Sequence, residues 1–375
     1  MKKIRHTLAA FMLGCISAFA GEEPKTNSTF SIVSLNVDGL PGKLAFIPVN
    51  SDGPMSAGSE RISEYLANLN CDILCLQEDF NYRMEIWSRL FANYQHDEWS
   101  GGIIYEDREI DFAHLQNLKF ECDGLNTVWR NNIQSDSYER VPWQKSFGKF
   151  SHDFDDIITK GFRCHELTLS DGNQIVVYNM HMDASSNRDE KKGNDGKDRE
   201  ARISQWQQLR DHILEHLDQR PVIVVGDMNS YYHRDDFKTE FIDAITTTGR
   251  ATVSDAWIEK YNKGIYPEMG SEPLEKETLD KALYINPTDG NSVELVNVSI
   301  DLSNYLYNDK PLGDHYPLIA TFRYISSYEQ GATRINQTAA DANGATPEAY
   351  DLSGRPVDAT HKGIAITKQG KFLKK

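Results

Sequence analysis

The chain has 375 residues, of which 39% are hydrophobic, 10% aromatic and 26% charged, a balance that excludes a disordered, collagen-like or polytopic membrane protein. That length is roughly twice an average domain, so the expectation is either two domains or one large layered domain. With 56 acidic residues against 40 basic ones the formal net charge is −16, so the surface lacks the basic footprint of a tight, salt-sensitive DNA binder, although an enzyme that touches nucleic acid only briefly can still be acidic.

Lys2, Lys3 and Arg5 open the chain, and Leu8 to Ala20 is an apolar or small run ending in Ala18-Phe19-Ala20, the pattern of an export signal and its cleavage site. Residues 1–20 are expected to be removed, leaving Gly21 as the first residue of an exported protein, whether periplasmic, cell-surface or extracellular. The run is too short to cross a bilayer core, which needs about 20 apolar residues. Leu13-Gly14-Cys15 leaves a second reading open, in which Cys15 is acylated and becomes the first residue. Of the remaining cysteines, Cys71, Cys75, Cys122 and Cys164 are too few for a disulfide scaffold and have no zinc-site spacing. Their disulfide state stays open.

Strand-like apolar runs follow at Ser31 to Val37, Asp72 to Leu76, Gly102 to Tyr105, His165 to Leu169, Gln174 to Tyr178, Val222 to Val225, Lys281 to Ile285, Val293 to Ile300 and Leu318 to Tyr324, with Asp171-Gly172 a hairpin turn. Helical spacing appears between them. Ser59 is placed to cap a helix carrying Ile62, Tyr65, Leu66 and Leu69, and Trp206, Leu209, Ile213 and Leu217 form the apolar face of a longer one. Strands interleaved with helices predict two packed sheets covered outside by helices. One domain is assigned to residues 27–326, an Ala/Asn/Thr/Gly/Gln-rich linker to 327–346, and a short tail to 347–375 with a small strand pattern at Gly363-Ile364-Ala365-Ile366 and Gly370-Lys371-Phe372. That tail resembles the C-terminal sorting segments of one Gram-negative surface-secretion route.

Polar residues recur where strands end: Asn36 after the first, Gln77-Glu78 after the second, Asn179-Met180-His181 in another, Gly226-Asp227-Met228-Asn229 after Val222 to Val225, and Asp314-His315 before the last. Carboxylates, amides and histidines at the ends of apolar strands are costly to bury unless they converge on a metal or on one another. Each residue alone has a plain structural explanation as a turn or a solvated strand end. The joint order, each set after a strand, points to one site at a sheet rim.

This order resembles the endonuclease/exonuclease/phosphatase superfamily over about Ser31 to Tyr324. The resemblance implies a four-layered α/β/β/α sandwich of two mostly antiparallel sheets flanked by helices, and a divalent-metal-dependent hydrolase of phosphate esters. It implies metal-site roles for Asn36, Glu78 and Asp314 and catalytic roles for His181, Asp227, Asn229 and His315, with Mg²⁺ or Mn²⁺ as the ion, one or two of them. Ser254-Asp255-Ala256-Trp257 resembles a supporting stretch of the family, and Leu279-Asp280-Lys281-Ala282-Leu283-Tyr284 matches loosely, so no role is assigned to Asp280 or Lys281.

The chemistry accounts for these residue types. A phosphodiester repels a nucleophile, and a cation on hard oxygen ligands such as Glu78 and Asn36 neutralises charge at the phosphoryl oxygens. His315 is expected to take the proton of water, with Asp227 orienting it or its water, while His181 and Asn229 donate to the phosphate oxygens. Among substrates, Asp123-Gly124-Leu125 and Lys160-Gly161-Phe162 resemble segments of bacterial sphingomyelinase-like members, with Lys160 placed to pair with a substrate phosphate, Asp155 or Asp156. Trp87, Phe91, Trp99, Trp129 and Trp143 are candidates for a lipid-facing lip or for core. The loop from Asp183 to Glu200 mixes both charge signs and is not a DNA-binding arm. The leading expectation is a sphingomyelinase-like lipid phosphodiesterase whose partner is a phosphate ester at a membrane surface, with no stable nucleic-acid partner. A secreted DNase I-like endonuclease and, less favoured, a non-enzymatic surface binding protein are the alternatives.

Overall fold

A computed structural model of the chain describes residues 28–44, 47–48, 50, 52–100, 115–116, 119–120, 122–148, 155, 158–185, 196–327, 363–367 and 370–374. The export signal, the strand expected at Gly102 to Tyr105 and nearly all of the linker lie outside the described residues. The tail contributes a hairpin of Gly363–Thr367 with Gly370–Lys374.

Two six-stranded sheets form the centre. The first contains β1 (Thr29–Asn36), β2 (Ile73–Gln77), β3 (Tyr94–His96), β4 (Asn126–Arg130), and the late strands β11 (Ser292–Ile300) and β12 (Leu318–Ile325), in the order β11-β12-β1-β2-β4-β3. The second contains β5 (Gln134–Pro142), β6 (Gly161–Thr168), β7 (Gln174–His181), β8 (Val222–Asp227), β9 (Ala251–Asp255) and β10 (Asp280–Pro287), in the order β9-β10-β8-β7-β6-β5. Each sheet has one parallel pair at its middle, β1 with β2 and β7 with β8, and antiparallel neighbours elsewhere.

Strands buried on both faces read as near-continuous apolar runs, which is why Ile32, Val33 and Leu35 or Val222 to Val225 are so plain in the sequence. Alternation then sorts them. Ile32, Ile73, Cys75 and Trp129 of the first sheet meet Leu167, Val177, Ile223 and Val225 of the second between the sheets. Val33, Leu35 and Leu74 turn outward to Ile62 and Leu66 of α1 (Met55–Leu69) and to Ile86 of α2 (Arg83–Trp87). Phe162, Tyr178 and Val224 turn the other way, onto Trp206, Leu209 and Ile213 of α3 (Gly196–His216). The layers are therefore α/β/β/α, as expected.

Three expectations are corrected. The first helix begins at Met55 after Pro54, so Ser59 is an interior, buried helix residue and not a cap. Strands β3, β4, β5 and β9 were not anticipated; β5 is a largely exposed edge strand rich in polar residues, so it carries no apolar run. The five aromatics do not form a lip: Trp129 and Trp143 are buried, Trp87 and Trp99 pack edge-on to each other at 5.3 Å beside His96, and of the set Phe91 alone stands out as an exposed large side chain. Among the described residues Cys71, Cys75, Cys122 and Cys164 are free thiols, and no helix is long and apolar enough to cross a membrane.

Candidate active site

The two parallel pairs place four strand ends on one rim. Asn36 and Gln77 are register partners at the ends of β1 and β2, and His181 and Asp227 are partners at the ends of β7 and β8. Antiparallel β10 begins at the same level, with Asp280 opposite Asp227, and His315 enters just before β12. Gly226 makes the approach possible: its φ is +149°, and a Cβ there would sit 1.9 Å from the Met180 carbonyl oxygen. Glu78 and Asn229 adopt positive φ of 55° and 46°, a conformation that costs non-glycine residues about 1–3 kcal/mol and clusters at functional sites.

The side chains converge. Asn36 Nδ2 donates to Glu78 Oε1 at 2.9 Å and to Asp227 Oδ2 at 3.2 Å, bridging the sheets. His315 Nδ1 bonds Asp280 Oδ2 at 2.6 Å while its Nε2 faces Asp227 Oδ2 at 3.5 Å. His181 Nε2 lies 3.5 Å from the same Asp227 oxygen and 3.9 Å from Glu78 Oε1. The Asn229 backbone N–H donates to Asp227 Oδ1 at 3.1 Å, and one amide hydrogen of its side chain is used on the Met182 carbonyl at 3.0 Å. Glu78 and His315 keep 20% and 16% of their side-chain surface open, and Asp314 is exposed, so the cluster opens to solvent on that side.

All seven residues read from the sequence thus occupy one rim, but two expected relations differ. Asp280 holds the Nδ1 side of His315, so of the two roles expected for Asp227 its place opposite Nε2 leaves that of orienting the water; the loose match of its sequence context hid Asp280. Nε2 of His181 is faced by the Lys160 amine at 3.1 Å. Lys160 is itself buried and paired with Asp155, one of the three partners considered for it, so Nε2 accepts from the ammonium and is not free to donate to a phosphate. Asp38, at a φ of +50° beside Asn36, also belongs to the site and was not anticipated, since nothing in its immediate sequence sets it apart from a turn residue. Other motif residues serve the framework. Gln77 Nε2 donates to Asn179 Oδ1 at 2.7 Å, and Asn179 Nδ2 reaches the Leu76 carbonyl at 3.1 Å, pinning sheet to sheet. Asp255 caps the helix Ala256–Asn262, and Lys281 is held by Glu277 and the Thr278 carbonyl.

Charge at the rim is unbalanced. Asp38 is pushed up to about 7 by burial first and then by Asp314 and Glu78. Burial also raises Glu78 and Asp280 above the ordinary carboxylate range despite their hydrogen-bonded and cationic neighbours. Burial opposes the charged form of Asp227, yet His315, His181 and Lys160 hold its pKa low. Against burial, Asp280, Asp227 and Asp314 lift His315 well above the usual imidazole value, whereas burial and Lys160 press His181 well below it. Five carboxylates around Asn36 fit a hard cation: the oxygen donors suit a divalent ion, one Asp280 oxygen is buried without a partner, and Asp227, Asp280 and His315 bring donor atoms within 4.8 Å of one another.

Residues 33–256 match the Endonuclease/Exonuclease/phosphatase family, and the chain belongs to it. Members of that family are hydrolases of phosphodiester bonds that use divalent metals. No curated protein matches the chain. Among solved structures, D. rerio TDP2 complexed with a single-strand DNA product is similar at 16% identity and a TM-score of 0.51, covering 79% of this chain and 99% of that one. The endonuclease/exonuclease/phosphatase from Bacteroides vulgatus is similar at 13% identity and 0.50, covering 79% and 98%. Beta toxin from Staphylococcus aureus is similar at 15% and 0.49, covering 78% and 99%.

Proposed function

We propose that the protein is an exported, Mg²⁺- or Mn²⁺-dependent phosphodiesterase that cleaves a lipid phosphodiester of the sphingomyelin type. The observation that carries the lipid assignment is a cleft of about 570 Å³ opening at His315, Asp280 and Asp314, with Tyr231, Trp257, Tyr261, Ile300, Leu302 and Tyr316 among its walls. Apart from His315, its lining contributes a single basic side chain, Lys276, among the described residues. An aromatic and aliphatic cleft with one cation suits an apolar or zwitterionic substrate better than a polyanion, whose affinity rests on many Lys and Arg contacts. The net charge of −16 points the same way.

Asn36, Glu78 and Asp314 would hold the cation through oxygen. When bound, the ion supplies Lewis-acid stabilisation of the phosphoryl oxygens and offsets the carboxylate field. The protein's own residues handle the proton. Asp280 fixes the Nδ1 side of His315, so Nε2 is the working nitrogen, and it faces Asp227 across 3.5 Å. That pair takes the proton of the attacking water as one coupled unit. The remaining amide hydrogen of Asn229 is left for a phosphate oxygen, and the enclosed Lys160 ammonium, held by Asp155, His181 Nε2 and the Met182 carbonyl, supplies positive charge behind the site rather than a direct hydrogen bond. No covalent intermediate is required.

The test is a panel of sphingomyelin, phosphatidylcholine, duplex DNA, single-stranded DNA, RNA and inositol phosphates, each with Mg²⁺ and with chelator. Metal-dependent release of phosphocholine from sphingomyelin, exceeding cleavage of every nucleic acid, is expected. Cleavage of DNA or RNA with no action on either lipid would replace the lipid reading with the nuclease one.

A further inference from the structure

A second histidine and carboxylate cluster lies away from the rim. Across β5, β6 and β7, Glu139, Cys164 and Tyr178 form one row of register partners. The last turns of α3 cross over this row and set His212 and His216, one helical turn apart, against it. These residues line a cavity of about 330 Å³ together with Val176 and Val222, which stand near the starts of β7 and β8. Asp227 ends β8 five residues beyond Val222, about 16 Å away at about 3.3 Å per residue.

We propose that Glu139, His212 and His216 form a binding site for a borderline transition-metal cation, Zn²⁺ by preference, clasping α3 to the edge strand of the second sheet. Donor atoms of the three residues lie within 4.8 Å of one another. His212 Nε2 and Glu139 Oε2 are 3.2 Å apart, the separation of two ligands on a tetrahedral ion with bonds of about 2.0–2.2 Å. Both imidazoles are oriented from behind, as metal-binding histidines are. His216 Nδ1 donates to the His212 carbonyl at 2.8 Å, which leaves its Nε2 lone pair free. His212 Nδ1 bonds the Tyr178 hydroxyl at 3.0 Å, and that hydroxyl is also hydrogen-bonded to the Cys164 side chain. With the proton on Nδ1, the Nε2 lone pair points at a carboxylate oxygen, an arrangement a cation between them stabilises.

The donor set discriminates between the two sites: imidazole suits zinc, copper and nickel, whereas the oxygen-rich rim suits magnesium. Glu139 and His216 are exposed, so the ion would be reached from solvent and completed by water. Nearby Glu166 and Asp218 are engaged by Arg220.

The experiment titrates ZnCl₂ into the full-length protein already saturated with Mg²⁺, by calorimetry, and follows Co²⁺ binding by the visible absorption of tetrahedral cobalt. One zinc site is expected, with affinity reduced at least about tenfold in His216→Ala and in Glu139→Gln, both at surface positions that leave the circular dichroism spectrum unchanged. The same two substitutions should abolish the cobalt bands, and Glu78→Gln at the rim should retain them. Zinc affinity unchanged in both surface variants, or lost in Glu78→Gln while kept in His216→Ala, would overturn the assignment.

Discussion

Two buried charge clusters in this protein were built to opposite rules. Asp123 is fully enclosed, and it receives Arg140 Nε at 2.7 Å and Arg163 Nε at 2.9 Å, with a second Arg163 bond at 3.2 Å. Burial would raise its pKa, but the two guanidinium groups prevail and hold it below the ordinary value. At the rim, Asp38, Glu78 and Asp280 are all raised, by burial first and then by their carboxylate neighbours, since His315, His181 and Lys160 are shared among five carboxylates and do not offset it. A cluster that supplies its own counter-charges is a piece of architecture; one that withholds them is poised for an ion and a substrate. Both Asp123 and Glu78 lie in stretches that resemble motifs of the family, so the resemblance alone does not separate the two roles, and the counter-charges do.

The largest effect that tests this contrast is removal of the ion. Chelator should abolish phosphodiester hydrolysis, and Glu78→Gln should need at least about tenfold more Mg²⁺ for half-maximal rate, since it deletes an anionic ligand while keeping shape. Hydrolysis at full rate in excess chelator would end the metal reading. Next, His315→Ala should lower kcat by about 10² to 10⁴, the usual contribution of positioned proton transfer. Asp280→Asn should cost less, and the double variant should fall far short of the product of the two, because the pair acts as a unit. Multiplicative losses in steady-state kinetics would show that Asp280 does not work through His315.

Breaking the other cluster should move stability and leave chemistry alone. Asp123→Ala leaves two guanidinium groups without their buried partner, and a broken buried pair typically costs about 3–5 kcal/mol. Denaturant unfolding should show that loss, while kcat/KM per folded molecule stays near wild type. A variant as stable as wild type but catalytically dead would place Asp123 in the site.

How far the sequence carried depended on which physical signal each residue left. Strands covered on both faces, such as Val222 to Val225, announce themselves by composition, and polar residues at their ends mark the rim; Asn36, Glu78, His181, Asp227, Asn229, Asp314 and His315 were all found that way. Edge strand β5, with Asp136, Ser137 and Glu139 in the open, has no such signature, because its pairing is supplied by β6 and not by its own hydrophobicity. Asp280 was legible as a residue but not as a partner: its bond to His315 spans 35 positions and depends on the register that sets it opposite Asp227. The same holds for Gln77 and Asn179. Their place beside the site residues suggested chemistry, and only the packing of two sheets shows that they hold each other.

The smallest expected effect is also the most specific to the contrast, and it lies in acid. Asp123 has a folded-state pKa below its unfolded one, which is about 3.9. A carboxylate of that kind contributes its full stabilisation at pH values above the unfolded pKa and loses it as pH falls through the folded value. Asp123→Asn keeps the size and one acceptor oxygen but cannot ionise, so it removes the charge-dependent part alone. The gap in unfolding free energy between wild type and Asp123→Asn should therefore be flat from pH 7 to about 5 and should shrink below about pH 4. Urea unfolding of both proteins at several pH values, without added divalent ion, measures it. A gap that stays constant into the lowest pH at which both remain folded would mean that Arg140 and Arg163 hold Asp123 by hydrogen-bond geometry and not by charge, and the two clusters would then differ in shape and not in electrostatic design.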